Sequence, residues 1–195
     1  TIAASPTLVN TFANNIVTMI NTYGFDGVDI DWETPIAGEE ALFTAMMAVI
    51  FQKVKANNPY HLVTAAIGAG MWQPPRYDLS NSKQYLDFIN MMAYDMASNT
   101  GYYQNALYRQ TTYHNLTFSV GKTLTSCSID ESVAFYVNNY AIPKSKIIVG
   151  IPFYGVRQTR TYTNGSWTSW IKASTPYYHT LISSYIGNAN YTEYY

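Results

Sequence analysis

The stretch Asp26-Gly27-Val28-Asp29-Ile30-Asp31-Trp32-Glu33 decides how this chain is read. Val28, Ile30 and Trp32 alternate with Asp29, Asp31 and Glu33, so an extended strand puts three carboxyl groups on one face and apolar side chains on the other. By rise alone, neighbours on that face stand about 6.6 Å apart. Like charges at that spacing repel, and the repulsion favours keeping one carboxylic acid beside carboxylates. Acid–base chemistry needs that pairing, which makes Asp29, Asp31 and Glu33 candidate catalytic groups. A solvated edge strand or a hard-cation site is the competing reading. The apolar face speaks against an edge, because a central strand covered by helices needs such a face. Metal binding is disfavoured because His61, His114 and His179 are scattered singly, and neither metal nor cofactor is expected. Asp26 has the opposite parity and falls on the other face.

Outward from this strand, expected over residues 25 to 32, helix and strand alternate. Ser5-Pro6 makes an N-cap with a first-turn proline, and Leu8, Val9, Phe12, Ile16, Val17 and Ile20 recur at helical spacing up to a glycine stop at Gly24. Residues 39 to 56 predict a second helix with Leu42, Phe43, Met46, Val49, Ile50 and Val54 as its apolar stripe, ended by Asn57-Asn58-Pro59. Met46 and Met47 are core fillers. A strand over 61 to 68, a loop with Trp72, a short helix over 80 to 86 and a strand over 88 to 94 follow. Residues 96 to 127 lack a clean period and suggest an elaborated connection with a hairpin around 116 to 124. Ser128 and Glu131 make a capping box for a helix to Tyr140, and 146 to 153 is a β-branched run suited to a buried parallel strand. Residues 158 to 195 are rich in Tyr, Thr and Asn and weakly patterned. Four strand–helix alternations predict an α/β fold of βα units in one domain.

Composition narrows the ligand. The 195 residues carry a formal net charge of −1 and only 12% charged residues, which gives no reason to expect nucleic acid or an anionic membrane as partner. Nineteen tyrosines supply ring faces and hydroxyls, a surface suited to sugars, although most are expected to pack or to lie on plain surface. Trp72, Tyr102, Tyr103, Trp167 and Trp170 are candidate stacking residues. Cys127 is the only cysteine, so no intrachain disulfide forms, and sequons stand at Asn115, Asn164 and Asn190. The longest apolar stretch, 41 to 51, is too short to span a bilayer.

These residues resemble glycoside hydrolase family 18, the chitinase family, whose signature Asp-x-x-Asp-x-Asp-x-Glu closes the fourth strand of a (βα)8 TIM barrel. Asp26, Asp29, Asp31 and Glu33 fill it. Met92-Ala93-Tyr94-Asp95 is similar to the sixth-strand Met-x-Tyr-Asp, Gly150-Ile151-Pro152-Phe153-Tyr154-Gly155 to the seventh-strand segment, and residues 62 to 66 to the fifth strand. The resemblance therefore implies about strand 4 to strand 7 of the barrel plus flanking helices. Residues 1–195 would form a single partial catalytic domain, with 158–195 a segment after strand 7. A full barrel usually needs ~250 residues. Counterparts of the family's third-strand Ser-x-Gly-Gly and eighth-strand tryptophan are not found. Thr34 stands where the family commonly has an aromatic residue, and Val156 separates the Tyr-Gly pair from Arg157.

The resemblance also implies retaining hydrolysis of β-1,4-linked N-acetylglucosamine in chitin or chito-oligosaccharides, assisted by the substrate's own acetamide. Glu33 would be the general acid/base, Asp31 would orient the acetamide, Asp29 would share a proton with Asp31, and Tyr94 would donate to the acetamide oxygen. Met92, Asp95, Tyr154 and Trp72 would line the sugar site. An endo-acting N-glycan hydrolase and a lectin-like relative that binds without cutting stand beside this reading; such lectins typically lose the acid at position 33. A secreted, extracellular protein is implied by the family alone.

Overall fold

The computed structural model describes residues 1–96, 103–108, 112–113, 116–117, 128–169 and 171–188. Tyr102, His114, Asn115, Cys127, Trp170 and Asn190 lie outside the described residues, as does most of the hairpin expected around 116 to 124.

Helix α1 (Pro6–Tyr23) starts where Ser5 accepts a hydrogen bond from the Leu8 amide and stops at Gly24, whose φ of 70° is the left-handed turn that glycine adopts without cost. Strand β1 (Gly27–Ile30) follows, then α2 (Glu40–Asn57), β2 (Leu62–Gly68), a 3-10 turn over Pro74–Tyr77, the single-turn α3 (Leu79–Ser82), a second 3-10 turn and β3 (Phe88–Met92). The helix expected over 80 to 86 is thus one α turn running into 3-10 geometry, as fits a connection this short. A two-stranded ladder pairs β4 (Thr112–Tyr113) with β5 (Leu116–Thr117). Helix α4 (Ile129–Tyr140) opens on the full capping box of Ser128 and Glu131, and leads to β6 (Ile147–Val149).

Strands β1, β2, β3 and β6 form one sheet in that order, every pair parallel, so spatial neighbours are also chain neighbours in the βα series. One face of the sheet is the core. Ile30, Val63, Ala65, Ile67, Ile89 and Met91 are buried there with Val9, Ala13, Ile16 and Ile20 of α1 and Phe43, Met46, Met47, Ile50 and Val54 of α2. Full burial of one such large side chain is worth ~1.5–3 kcal/mol, so this layer carries the fold. Lys55, at the end of α2, pairs with Asp87 at 2.8 Å, and Asp87 accepts the Val63 amide at 2.8 Å, which ties helix, β2 and the start of β3 together.

Three expectations need correction. The acidic strand is four residues long; its ladder stops at Ile30, and among the described residues no strand pairs with Asp31 to Glu33. Strand β6 is parallel as expected but covers only Ile147–Val149 of the 146 to 153 run; among the described residues it pairs with β3 alone, and Ile148 is 48% exposed. The weakly patterned segment after residue 157 is not featureless: β7 (Arg157–Thr159) pairs antiparallel with β10 (Ile171–Ser174), and β8 (Tyr162–Thr163) with β9 (Ser166–Trp167). Two- to four-residue strands with little burial on either face leave no period for a sequence to display. Among the described residues no helix is long and apolar enough to cross a membrane.

Candidate active site

The second face of the sheet carries the polar groups. Asp29 on β1, Thr64 on β2 and Asn90 on β3 meet there: the Thr64 hydroxyl donates to Asp29 Oδ1 at 2.5 Å and the Asn90 amide donates to the same oxygen at 2.9 Å. The β1–β2 register sets Asp29 directly opposite Thr64, so the contact follows from strand pairing. Neither donor was identified from the sequence. Both were legible as polar residues at the inward parity of otherwise apolar strands, Thr64 in line with Ala66 and Asn90 in line with Met92 and Tyr94.

Beyond the ladder the alternation continues. Asp31 and Glu33 are exposed while Ile30 is buried and Trp32 half-buried, so the expected acidic face survives although the strand does not. The Glu33–Thr34 peptide is cis. Trp32 packs on Phe43 of α2 with ring centroids 6.3 Å apart, and Phe43 meets the edge of Tyr77 at 5.0 Å. The fully buried Tyr77 donates its hydroxyl to the Trp32 carbonyl at 2.8 Å. Burial, opposed by the Thr34 side chain and reinforced by the charges of Glu33 and Asp31, pushes the Tyr77 phenol up to about 12.

Tyr94 leaves the carboxyl end of β3 and points into the same space. Its phenol is raised above the ordinary tyrosine value by partial burial and then by the negative charges of Glu33, Asp31, Asp95 and Asp29. A phenol so held stays protonated and keeps its hydrogen-bond donor. Asp95 has a φ of 57° and accepts the Tyr154 hydroxyl at 2.7 Å, while the rings of Tyr94 and Tyr154 approach edge to face at 6.4 Å. Burial and the hydrogen bond to Asp95 raise the Tyr154 phenol as well. Gly150 makes room for this pair, since a Cβ there would lie 2.9 Å from the Tyr94 ring and 3.0 Å from the Met91 carbonyl oxygen. The floor beneath is braced by α4: Tyr136 donates to the Gly68 carbonyl at 2.8 Å and Ser132 accepts the Gly70 amide at 3.0 Å.

Asp29, Asp31, Glu33, Tyr94, Asp95 and Tyr154 therefore converge at the carboxyl end of a parallel sheet, the end where α/β folds bind ligands. Met92 closes β3 beside them, opposite Gly68 in register. Trp72 lies on the loop after β2, 43% exposed, with no described contact to the acids. Asp26 stands at the opposite, amino end of β1, where its carbonyl accepts the Leu62 amide. Trp167 is remote on the β8–β9 hairpin, with Arg160 stacked 4.4 Å over its ring. Among the described residues no group of three or more His, Cys, Asp or Glu side chains could hold a metal ion.

The arrangement has known counterparts. The model of the glycosyl hydrolases family 18 matches residues 1–193. Chitinase A1 of Niallia circulans is 26% identical over 99% of this chain and 31% of its own length, and Chitinase B of Serratia marcescens 30% identical over 88% of this chain and 40% of its own. The chain thus spans between about a third and two-fifths of the length of these curated relatives. A family 18 N-acetylglucosaminidase from Paenibacillus barengoltzii superposes with a TM-score of 0.81 at 24% identity, covering all of this chain and 60% of that one. Strands β1, β2, β3 and β6 accordingly correspond to about strand 4 to strand 7 of a (βα)8 TIM barrel. Carboxylates gathered at the end of one barrel strand and a tyrosine–aspartate pair two strands away, within a family match that runs over residues 1–193, make this chain a member of glycosyl hydrolases family 18.

Proposed function

We propose that this chain carries the acid–base half of a retaining hydrolase for β-1,4-linked N-acetylglucosamine, acting on chitin or chito-oligosaccharides, and that residues 1–195 form part of one catalytic barrel domain. The observation that carries the reading is the Tyr94 phenol lying in the field of Glu33, Asp31, Asp95 and Asp29 together. A neutral donor facing several carboxylates suits a neutral, amide-bearing sugar: the phenol binds the acetamide oxygen and the carboxylates handle protons and developing positive charge. The chitinase names of the relatives support the same substrate class.

In this mechanism the acetamide oxygen of the sugar attacks its own anomeric carbon and forms an oxazolinium ring, while Glu33 gives its proton to the departing glycosidic oxygen. Water then attacks the anomeric carbon from the vacated side, Glu33 takes a proton from it, and the ring reopens with configuration retained. Asp31 orients the acetamide N–H and balances the charge. Asp29, anchored through Oδ1 by Thr64 and Asn90, leaves Oδ2 for Asp31. Met92, Asp95 and Tyr154 shape the sugar site, with Trp72 as an outer stacking surface. Chitin is an extracellular polymer, so secretion belongs to the same reading.

Replacement Glu33→Gln in the full-length protein tests the assignment. General acid catalysis contributes ~10²–10⁴-fold, so turnover of a chromogenic chito-oligosaccharide falls at least ~10²-fold while oligosaccharide binding persists. Wild-type turnover in that variant would remove Glu33 from the role.

A further inference from the structure

The ladder of β1 with β2 ends at Ile30, and among the described residues no strand pairs with the backbone that carries Asp31 and Glu33. The Trp32 carbonyl, between those two acids, is instead met by the Tyr77 hydroxyl at 2.8 Å. We propose that Tyr77 is a positioning residue for Glu33: the hydrogen bond from its phenol to the Trp32 carbonyl fixes the peptide from which the Glu33 side chain leaves. The inference rests on the role proposed for Glu33 and adds a residue 44 positions downstream, on a connection rather than on a strand.

Tyr77 is itself held at every point a phenol lever needs. Its carbonyl accepts the buried Ser82 hydroxyl at 2.7 Å. Its ring meets Phe43 edge to face at 5.0 Å, and Phe43 in turn packs on Trp32. The turn that presents it begins with the pair Pro74-Pro75 and ends at Asp78, whose carboxylate accepts from Thr44 of α2 at 2.9 Å. Backbone, ring and hydroxyl therefore have no slack, and motion of the 31–33 segment requires breaking a buried hydrogen bond, which is left unmade only at a cost. A misplacement of about 1 Å at a catalytic group can lower rate ~10²-fold, so a contact this close to Glu33 acts on chemistry as well as on folding.

Tyr77→Phe in the full-length protein removes the hydroxyl and keeps the ring. The expected result is a kcat lower by ~10- to ~10²-fold, a KM within about two-fold, and unchanged far-ultraviolet circular dichroism. Phe43→Leu serves as the packing control, because it loosens the same cluster with the hydroxyl retained, and its fall in kcat is smaller than that of Tyr77→Phe. Where Tyr77→Phe does not fold, Ser82→Ala releases the Tyr77 carbonyl and gives a smaller fall in kcat at constant KM. A folded Tyr77→Phe or Ser82→Ala variant with wild-type kcat overturns the proposal, and so does a Phe43→Leu loss as large as that of Tyr77→Phe. Glu33→Gln, run alongside, separates the two levels: full activity there sinks the role of Glu33, whereas an inactive Glu33→Gln beside a fully active Tyr77→Phe sinks only the role of Tyr77.

Discussion

The side-chain amide of Asn90 donates to Asp29 Oδ1 at 2.9 Å from two strands away, over the intervening Thr64 on β2. Asp29 is thereby fixed by the sheet itself, through side chains that strand register delivers. A hydrogen bond to a charged group is worth ~1.5–3 kcal/mol, and exposure of Asp29 discounts this to ~1 kcal/mol. Asn90→Ala is expected to lower kcat about five-fold with little change in KM, read by steady-state kinetics. Full kcat would mean that the orientation of Asp29 does not matter to the reaction.

Tyr94 provides the next expectation. Loss of one preorganised donor to a developing charge typically costs ~10²–10³ in rate, so Tyr94→Phe should fall in that range on N-acetylated substrates. If the acetamide is the nucleophile, substrates without it do not turn over, and a thiazoline mimic of the cyclised intermediate binds far more tightly to the parent protein than substrate does. Inhibition constants for the mimic check both points, and Tyr94→Phe should weaken it. A sugar trapped covalently on Asp29 or Asp31 would refute substrate assistance.

Tyr77 predicts an alkaline limit to stability. Its folded phenol titrates at about 12, above the unfolded value near 10, so the folded state holds a proton that the unfolded state releases. The contribution is fully present below pH ~10 and is lost as pH rises toward ~12. Melting temperatures measured between those values should fall more steeply for the parent protein than for Tyr77→Phe. Parallel curves would mean that another group sets the alkaline limit.

What the sequence displayed and what it hid divide along a physical line. Local devices were legible: Ser5 caps the Leu8 amide, Gly24 turns left-handed at the end of α1, and Ser128 with Glu131 forms both halves of its box. Each acts within a few residues, where spacing alone specifies geometry. The acidic face of Asp29, Asp31 and Glu33 was legible for the same reason, although the strand beneath it is shorter than its alternation suggests. Thr64, Asn90 and Tyr77 were missed because their partners lie 35, 61 and 45 positions away, a distance no window of periodicity spans. Strand β6 was legible as a parallel strand from its β-branched run, although its ladder is shorter than that run.

That separation along the chain is also a separation in time. Ribosomes add about 5–20 residues per second, so Asn90, 61 positions after Asp29, arrives about 3 to 12 s later. Through that interval the acidic stretch exists without the donors that orient it, first alone and then with Thr64 only. Because each parallel strand pairs with the one made just before it, β1 waits for β2 and β2 for β3, and the polar face shared by Asp29, Thr64 and Asn90 is assembled in chain order. Tyr94, four residues beyond Asn90, follows within about a second. Asp29, Asp31 and Glu33 are thus synthesised before the side chains that orient Asp29.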